Sequence, residues 1–411
     1  MQVAQGGTAE SGEWPLVGLD VRALVAGGWR PVPFSEVVVK IHGRCNLACD
    51  YCYVYEGADQ TWRTRPAAMP AEVVAATAAR LGEHARDHAL AKVSVVLHGG
   101  EPLLAGRTAI AEAVGRFRAA VPASCAVEVT TQTNGVLLTD AMLSTLEAHD
   151  VGVAVSLDGD REGHDRHRLR ANGRGSHADV MRGLKRLAGS HRRLYRGLLC
   201  TVDLDNDPVG TYEALLETEP PRIDFLLPHG TWTAPPPRRP AGGSDAPYAE
   251  WLIRVFDRWY HAPRKETGVR LFEEILNLLL GAQSRSENIG LSPVAMVVVD
   301  TDGTLQQVDT LKTSYAGAPE TGLTVFGGSL DDALRHPGVV ARQIGADALS
   351  DTCKACAIRD ICGGGAYAHR YREGRGYLNP SVYCPDLMAL ISHIGRTVQH
   401  DLALAEAAPE G

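Results

Sequence analysis

Cys45, Cys49 and Cys52 stand in the run Cys45-Asn46-Leu47-Ala48-Cys49-Asp50-Tyr51-Cys52, spaced C-x3-C-x2-C. Three thiolates can hold three irons of a [4Fe–4S] cube and leave the fourth open for another ligand, whereas an electron-transfer cluster takes four cysteines. A structural zinc site, which wants four closed ligands, or three unrelated thiols would use the same residue type. A second group, Cys353-x2-Cys356-x5-Cys362 and then Cys384, opens with C-x2-C and reads by itself as a zinc ribbon. Cys125 and Cys200 stand alone and read as small buried hydrophobes on strands. Met1 to Glu13 lack a basic stretch followed by an apolar core. Nine cysteines in such a chain point to metal or redox chemistry rather than disulfides.

Other reactive or ligand-holding types recur in short motifs. In His98-Gly99-Gly100-Glu101-Pro102 two glycines let the backbone approach a ligand closely, and the Glu101 carboxylate can receive a cationic group. A plain strand-to-helix turn is the competing reading. Thr131-Gln132-Thr133-Asn134-Gly135 and Ser156-Leu157-Asp158-Gly159 follow, the latter running on to His164-Asp165-Arg166-His167-Arg168. Their polar side chains could touch a ligand or simply cap the next helix. Asp309, beyond the turn at Gly303, and His369, in Tyr367-Ala368-His369-Arg370-Tyr371, are candidate proton acceptors. A turn carboxylate and a packed histidine are the equally available structural readings. His84 and His88, spaced i to i+4, read as solvated residues on a polar helix face.

These groups need a scaffold, and the pattern around them supplies one. Short β-type runs at 36–41, 92–97, 126–131, 151–156, 196–203 and 223–227 alternate with amphipathic stretches such as 71–89, 106–120 and 179–188. Strand–helix alternation of this kind predicts parallel βα units. Six of them predict an α/β fold built on a partial (β/α)6, TIM-like barrel, with ligands gathered at the C-terminal ends of the strands. The Pro- and Gly-rich stretch 233–247 reads as a linker; helices are expected at 248–260, 269–280 and 387–406, and a strand at 294–300.

The bulk composition is that of a globular protein: 411 residues, 45% hydrophobic, 22% charged, net charge −8. It carries no footprint for nucleic acid or an anionic membrane, and no run is long and apolar enough to span a bilayer. A cytoplasmic location is the expectation.

In combination, the cysteine triad, Gly99-Gly100-Glu101-Pro102 one βα unit later, and the motifs ending the third and fourth strands resemble the radical S-adenosylmethionine (SAM) enzymes. The likeness is nearest to their peptide-modifying branch, which includes anaerobic sulfatase-maturing enzymes. The resemblance implies SAM on the open iron of a [4Fe–4S] cluster held by Cys45, Cys49 and Cys52. Its amino group would be supported by Gly99, Gly100 and Glu101. Tyr51, Gln132, Asn134, Ser156 and Arg168 are the further implied cofactor contacts, with Asp158 nearer the substrate.

Cys353, Cys356, Cys362 and Cys384 resemble the SPASM extension of peptide maturases. A full extension carries seven cysteines and two auxiliary clusters. Here Ala366 and Val308 stand where cysteines would be, so one auxiliary [4Fe–4S] cluster is implied, with zinc as the competing occupant. The Gly363-Gly364-Gly365 run, Tyr367 to Tyr371 and Tyr377 to Cys384 are similar to maturases that form cyclophanes in ribosomally made peptides. The implied division is an N-terminal extension (1–33), a radical SAM barrel (34–235), a linker with helices (236–293), a SPASM-like domain (294–386) and a C-terminal helix and tail (387–411).

The implied reaction is reductive SAM cleavage, hydrogen abstraction from a side-chain Cβ of a precursor peptide, and carbon–carbon bonding to an aromatic ring. Asp309 or His369 would take the proton and the auxiliary cluster the second electron. A donor such as flavodoxin or ferredoxin is the implied partner. Thioether formation, epimerisation and formylglycine-type oxidation remain open, as do radical chemistry on a small metabolite and a cluster- or zinc-stabilised binding module.

Overall fold

The computed structural model describes residues 13–239, 243–284 and 286–407. Residues 1–12, where the lack of an export signal is read, lie outside the described residues. So do 240–242 of the linker, 285, and the end of the tail at 408–411.

Strands form where β-branched residues cluster. The first, β1 (Glu36–His42), is Val-Val-Val-Lys-Ile at its centre and buried along that whole stretch. Branched side chains lose little freedom on a pleated surface, and burial on both faces suits a parallel strand. It is followed by β2 (Lys92–Gly99), β3 (Ala126–Thr133), β4 (Val151–Ser156), β5 (Tyr195–Thr201) and β6 (Arg222–Leu226). Each is parallel to its predecessor. This is the partial barrel expected from the alternation. The helices Ala71–Asp87, Arg107–Ala120 and His177–Ala188 connect strands where helical periodicity placed them.

Two differences bear on the site. First, β2 and β3 run two residues further than expected. His98 and Gln132 are therefore strand residues, held in register by the ladder rather than free in a turn. Second, the sheet does not stop at the expected 293/294 boundary. After β7 (Gly268–Val269), β8 (Met296–Val299) pairs in parallel with β1, and β9 (Thr304–Gln306) and β10 (Glu320–Thr324) extend that edge antiparallel. The full order is β10-β9-β8-β1-β2-β3-β4-β5-β6-β7, so the region bearing the distal cysteines grows from the edge of the barrel sheet.

Buried charge fastens this junction. Lys40 of β1 is 3% exposed and lies 3.2 Å from Asp300, just past β8, and 2.6 Å from Asp309. Arg65 also pairs with Asp300, and with Glu320 of β10. Charges this deep are tolerated because they are paired. The linker is likewise anchored: the Arg239–Asp386 pair, 3.1 Å apart, is buried against the start of the helix Cys384–Ala407. Cys125 and Cys200 are buried in the main core, as expected; Cys200 lies in β5 and Cys125 just before β3.

The reading of His84 and His88 as solvated is corrected. His84 is 2% exposed, and both rings meet Asp331. The short helix Leu330–Ala333, which follows β10, packs on that face of Ala71–Asp87. A cover supplied from so far along the chain leaves no trace in the periodicity of the helix it covers.

Candidate active site

The cysteine loop leaves the C-terminal end of β1 and folds back over the barrel mouth. Ala48 N donates to Leu169 O at 2.7 Å, tying the loop to the segment after Arg168. Cys45 Sγ accepts from Leu47 N at 3.4 Å and from Asn134 Nδ2 at 3.6 Å, and the same amide nitrogen donates to Asn46 Oδ1 at 2.7 Å. All three thiols line one cavity of 190 Å³. Gly99, Gly100, Gln132, Asn134, Ser156, Arg168 and Tyr51 line it too, which brings most of the residues expected from sequence to one space. Burial pushes the Cys45 thiol up to about 11 and Cys49 to about 12. Free thiols there keep their protons, and a bound metal would supply the charge that reverses this.

The Gly-Gly-Glu-Pro turn works differently from the expectation. A Cβ on Gly99 would meet His42 O at 2.0 Å, and one on Gly100 would meet Tyr55 Oη at 1.8 Å and the Arg44 carbonyl at 2.7 Å. Gly99 is thus demanded by the end of β1, and Gly100 by the cysteine loop packed over it. Glu101 is wholly buried and does not line the cavity. Its oxygens accept from Leu103 N at 3.0 Å, Thr133 Oγ1 at 2.7 Å and Asn134 N at 2.8 Å. Burial raises its carboxyl to about 7 in spite of those donors. The carboxylate read as a receiver of a ligand cation is, in the structure, a clamp that fixes the end of β3 and hence Asn134.

At the next strand end Gln132 Nε2 donates to Ser156 Oγ at 2.9 Å, and both face the cavity. Asp158 is 3% exposed and fully engaged: Oδ1 accepts from Thr201 N at 3.0 Å, and Oδ2 accepts from Arg168 Nε at 2.7 Å and from the Tyr51 hydroxyl. The Arg168 guanidinium also lies 5.5 Å from the Tyr51 ring centroid. Despite burial, this guanidinium holds the Asp158 carboxyl below its ordinary value. Asp158 thereby aims Arg168 and Tyr51 at the thiols.

A second, larger cavity of 630 Å³ opens beside the first and shares Tyr51, Cys52, Tyr53, Thr201, Pro228 and His229 with it. Asp158 lines this one rather than the first. The two candidate proton acceptors are set apart. Asp309 is buried, 2.6 Å from Lys40 Nζ and 3.9 Å from Nδ1 of His98, which lines the cysteine cavity. His369 lies behind His229 with ring centroids 5.6 Å apart, and packs on Tyr383 at 5.0 Å. It lines neither cavity, and burial holds its imidazole down to about 3. His229 in turn packs edge-on against Tyr53 at 4.7 Å.

Sequence reasoning missed His229, Tyr53 and Lys40. A signal existed for two of them: His229 follows a strand end as the other motifs do, and Lys40 is a cation inside an apolar strand. Tyr53 carried none beyond its place next to Cys52.

The distal thiols also converge. Cys353, Cys356, Cys362 and Cys384 line a single cavity of 330 Å³ with Ile358 and Met388. Gly363, Gly364 and Gly365 all take positive φ, and their carbonyls accept from the buried Arg370 guanidinium at 2.6–3.1 Å. That turn brings Cys362 round to Cys384. Four thiols in one apolar pocket suit a fully ligated cluster or zinc. Val308 packs instead among Leu311, Tyr367, Tyr371 and Tyr377, so an apolar aromatic cluster stands where a further set of ligands was found missing.

Residues 39–214 match the radical SAM superfamily. The chain is 21% identical to a cysteine-type anaerobic sulfatase-maturating enzyme of Clostridium novyi (strain NT) over 357 residues, covering 85% of this chain and 92% of that one. It is 24% identical to a serine-type anaerobic sulfatase-maturating enzyme of Klebsiella aerogenes over 380 residues, covering 88% and 86%. In structure it resembles anSMEcpe with bound AdoMet, with a TM-score of 0.75, 19% identity, and coverage of 91% of this chain and 100% of that one. It also resembles Streptococcus suis SuiB bound to the precursor peptide SuiA, with a TM-score of 0.55, 15% identity, and coverage of 88% and 78%. Among the described residues no helix is long and apolar enough to cross a membrane.

Proposed function

From the premise that this chain is a radical SAM protein, built on that fold with a cysteine triad for one [4Fe–4S] cluster and SAM, we propose that it modifies a ribosomally made precursor peptide by joining a side-chain Cβ to an aromatic ring. One observation carries the peptide reading: the 630 Å³ cavity that continues from the cysteine cavity through Tyr51, Tyr53, Thr201 and His229. The smaller cavity already contains the thiols and the residues assigned to SAM. The added space lies beyond those residues and is large enough to admit a substrate segment beside the cofactor. The likeness to sulfatase-maturating enzymes and to SuiB supports the same class of substrate.

Bound in this site, the cluster and SAM supply abstraction of a hydrogen atom from an unactivated carbon. The protein's own part is placement. Gln132, Asn134, Ser156 and Arg168 would hold the cofactor; Glu101 holds Asn134 and Asp158 holds Arg168 in turn. Tyr51 and Tyr53 line both cavities and so stand where a peptide carbon would meet the cofactor. Asp309 is the better of the two proton acceptors, because it is a carboxylate near His98 at the cavity wall. His369 acts through His229 as a positioning residue. The four distal thiols would hold an auxiliary cluster, which would supply a sink for the second electron.

Formylglycine-type oxidation is the second reading, favoured by the sulfatase-maturating relatives. Incubating the anaerobically reconstituted enzyme with candidate peptides and sequencing the products by mass spectrometry separates the two. A loss of two hydrogens with a fragment-resistant link between an aromatic residue and its neighbour supports the crosslink. A new carbonyl at a Cys or Ser assigns the oxidation instead, and an unchanged mass with inverted chirality assigns an epimerase.

A further inference from the structure

The pair His84 and His88 belongs to no part of the chemistry above. Both sit at the C-terminal end of the helix Ala71–Asp87, His88 as its C-cap, and His84 packs 5.9 Å from Phe34, which precedes β1. That is the end of the barrel opposite the cysteine triad. Against them lies Asp331, in the first turn of Leu330–Ala333. His84 Nδ1 is 2.6 Å from Asp331 Oδ1, and His88 Nε2 is 2.9 Å and 3.0 Å from its two oxygens. The three candidate ligand atoms lie within 4.8 Å of one another.

With one ring proton on His84, hydrogen bonding alone leaves a polar atom unsatisfied, and a second proton would place a charge on a ring that is 2% exposed. His84 is 2% exposed and its Nε2 makes no well-formed hydrogen bond. The polar group beside that ring is the Phe34 backbone carbonyl, which can only accept. A proton on Nε2 answers the carbonyl but turns the Nδ1 lone pair towards a carboxylate oxygen, and two lone pairs at 2.6 Å repel. A proton on Nδ1 cures that contact and leaves Nε2 buried and bare, at a cost comparable to a lost hydrogen bond. A cation between Nδ1 and the carboxylate removes the conflict and allows Nε2–H to point at the carbonyl, the usual orientation of a metal-bound histidine.

We propose that His84, His88 and Asp331 form a binding site for a divalent first-row transition-metal ion, zinc in the first instance, separate from both cysteine sites. Two imidazoles and one carboxylate suit zinc, nickel or copper, whereas magnesium and calcium want oxygen donors. Zinc bonds of about 2.0–2.2 Å put neighbouring tetrahedral ligands about 3.3 Å apart, so small side-chain rotations open the present contacts enough to admit the ion. A fourth position is left for water at the half-buried His88 side. The ion braces the barrel helix against the segment that follows β10, joining residues 247 positions apart. Its role is structural.

The test uses holoenzyme with the cysteine sites filled, so that zinc has no thiols to occupy. Metal is counted against iron after zinc loading and passage over a weak chelating resin. Zinc affinity is measured by competition with a chromophoric chelator for wild type, His88→Gln and Asp331→Asn. The site predicts one zinc per chain beyond iron and a rise in Tm on zinc addition. In His88→Gln it predicts unchanged iron, zinc binding weaker on the order of tenfold or more, and loss of the Tm rise. His88 is half-exposed, so that variant keeps the fold. A wild type that retains no zinc, or binds it no more tightly than His88→Gln and Asp331→Asn, overturns the site.

Discussion

Replacing Asp158 by Asn isolates what the Asp158–Arg168–Tyr51 cluster does. The substitution keeps shape and removes one charge. Asp158 is 3% exposed and the Arg168 side chain 11%, with Nε and Oδ2 2.7 Å apart, so solvent screens the pair little. Removing one member of such a pair leaves an uncompensated buried charge, which costs about 3–5 kcal/mol. Asn adds a second conflict. One end of its amide must face either Thr201 N–H or the Arg168 and Tyr51 donors, and its –NH2 can accept from none of them. The reconstituted protein, unfolded anaerobically in urea, is expected to lose about 3–5 kcal/mol, and SAM binding should weaken in parallel because Arg168 is no longer aimed. The double variant Asp158→Asn/Arg168→Met removes the stranded cation. It should be more stable than Asp158→Asn alone, although it still fails to bind SAM. A single-variant loss below about 1 kcal/mol, or a double variant whose loss equals the sum of the singles, would refute the coupled-pair reasoning.

Lys40→Met strands Asp309 and leaves Asp300 with Arg65 alone, and is expected to cost about 3–5 kcal/mol; a near-neutral urea midpoint would show that β8 docks on β1 without it. Cys356→Ala should lower iron from about eight to about four per chain, leaving SAM cleavage intact and the modified peptide absent, as read by iron assay and paired assays of nucleoside and peptide. Acidification tests the buried imidazoles: burial holds His164 down to about 4 and His369 to about 3, from 6.5. Between pH 6.5 and about 4 the unfolded chain binds protons these two do not, so their stabilising effect is complete above about 6.5 and falls with pH by up to about 1.4 kcal/mol per unit for each. Unfolding midpoints that stay flat from about pH 7 to about pH 5 would contradict their neutral burial. His229→Ala is expected to abolish peptide modification with nucleoside release retained, since His229 borders both cavities.

Much of this was legible beforehand, for identifiable reasons. The parallel strands follow from local chemistry: β-branched runs alternating with amphipathic helices leave few topologies, and the strand ends collect the polar motifs. Cysteine spacing survives folding because short loops keep near neighbours near, and even Cys384, 22 residues past Cys362, reaches the others through the Gly363–Gly365 turn. What stayed hidden depends on distant partners. Glu101 looks like a ligand-binding carboxylate until the end of β3 is seen to consume it. The glycines beside it look ligand-driven until the end of β1 and the cysteine loop are seen packed on them. His84 looks solvated until Asp331 arrives from the segment beyond edge strand β10, and the continuity of β8 with β1 has no signal in either strand. The pairing of Asp309 with Lys40 likewise left no mark in the sequence around either residue.

The central claim is that hydrogen is taken from a peptide carbon at this site. It is tested most directly with precursor peptide deuterated at the Cβ positions of its core. The account predicts that the reduced enzyme transfers one deuterium to each 5′-deoxyadenosine formed while the peptide loses that deuterium and one further hydrogen. Unlabelled 5′-deoxyadenosine with an unaltered peptide, or no 5′-deoxyadenosine at all, would contradict it.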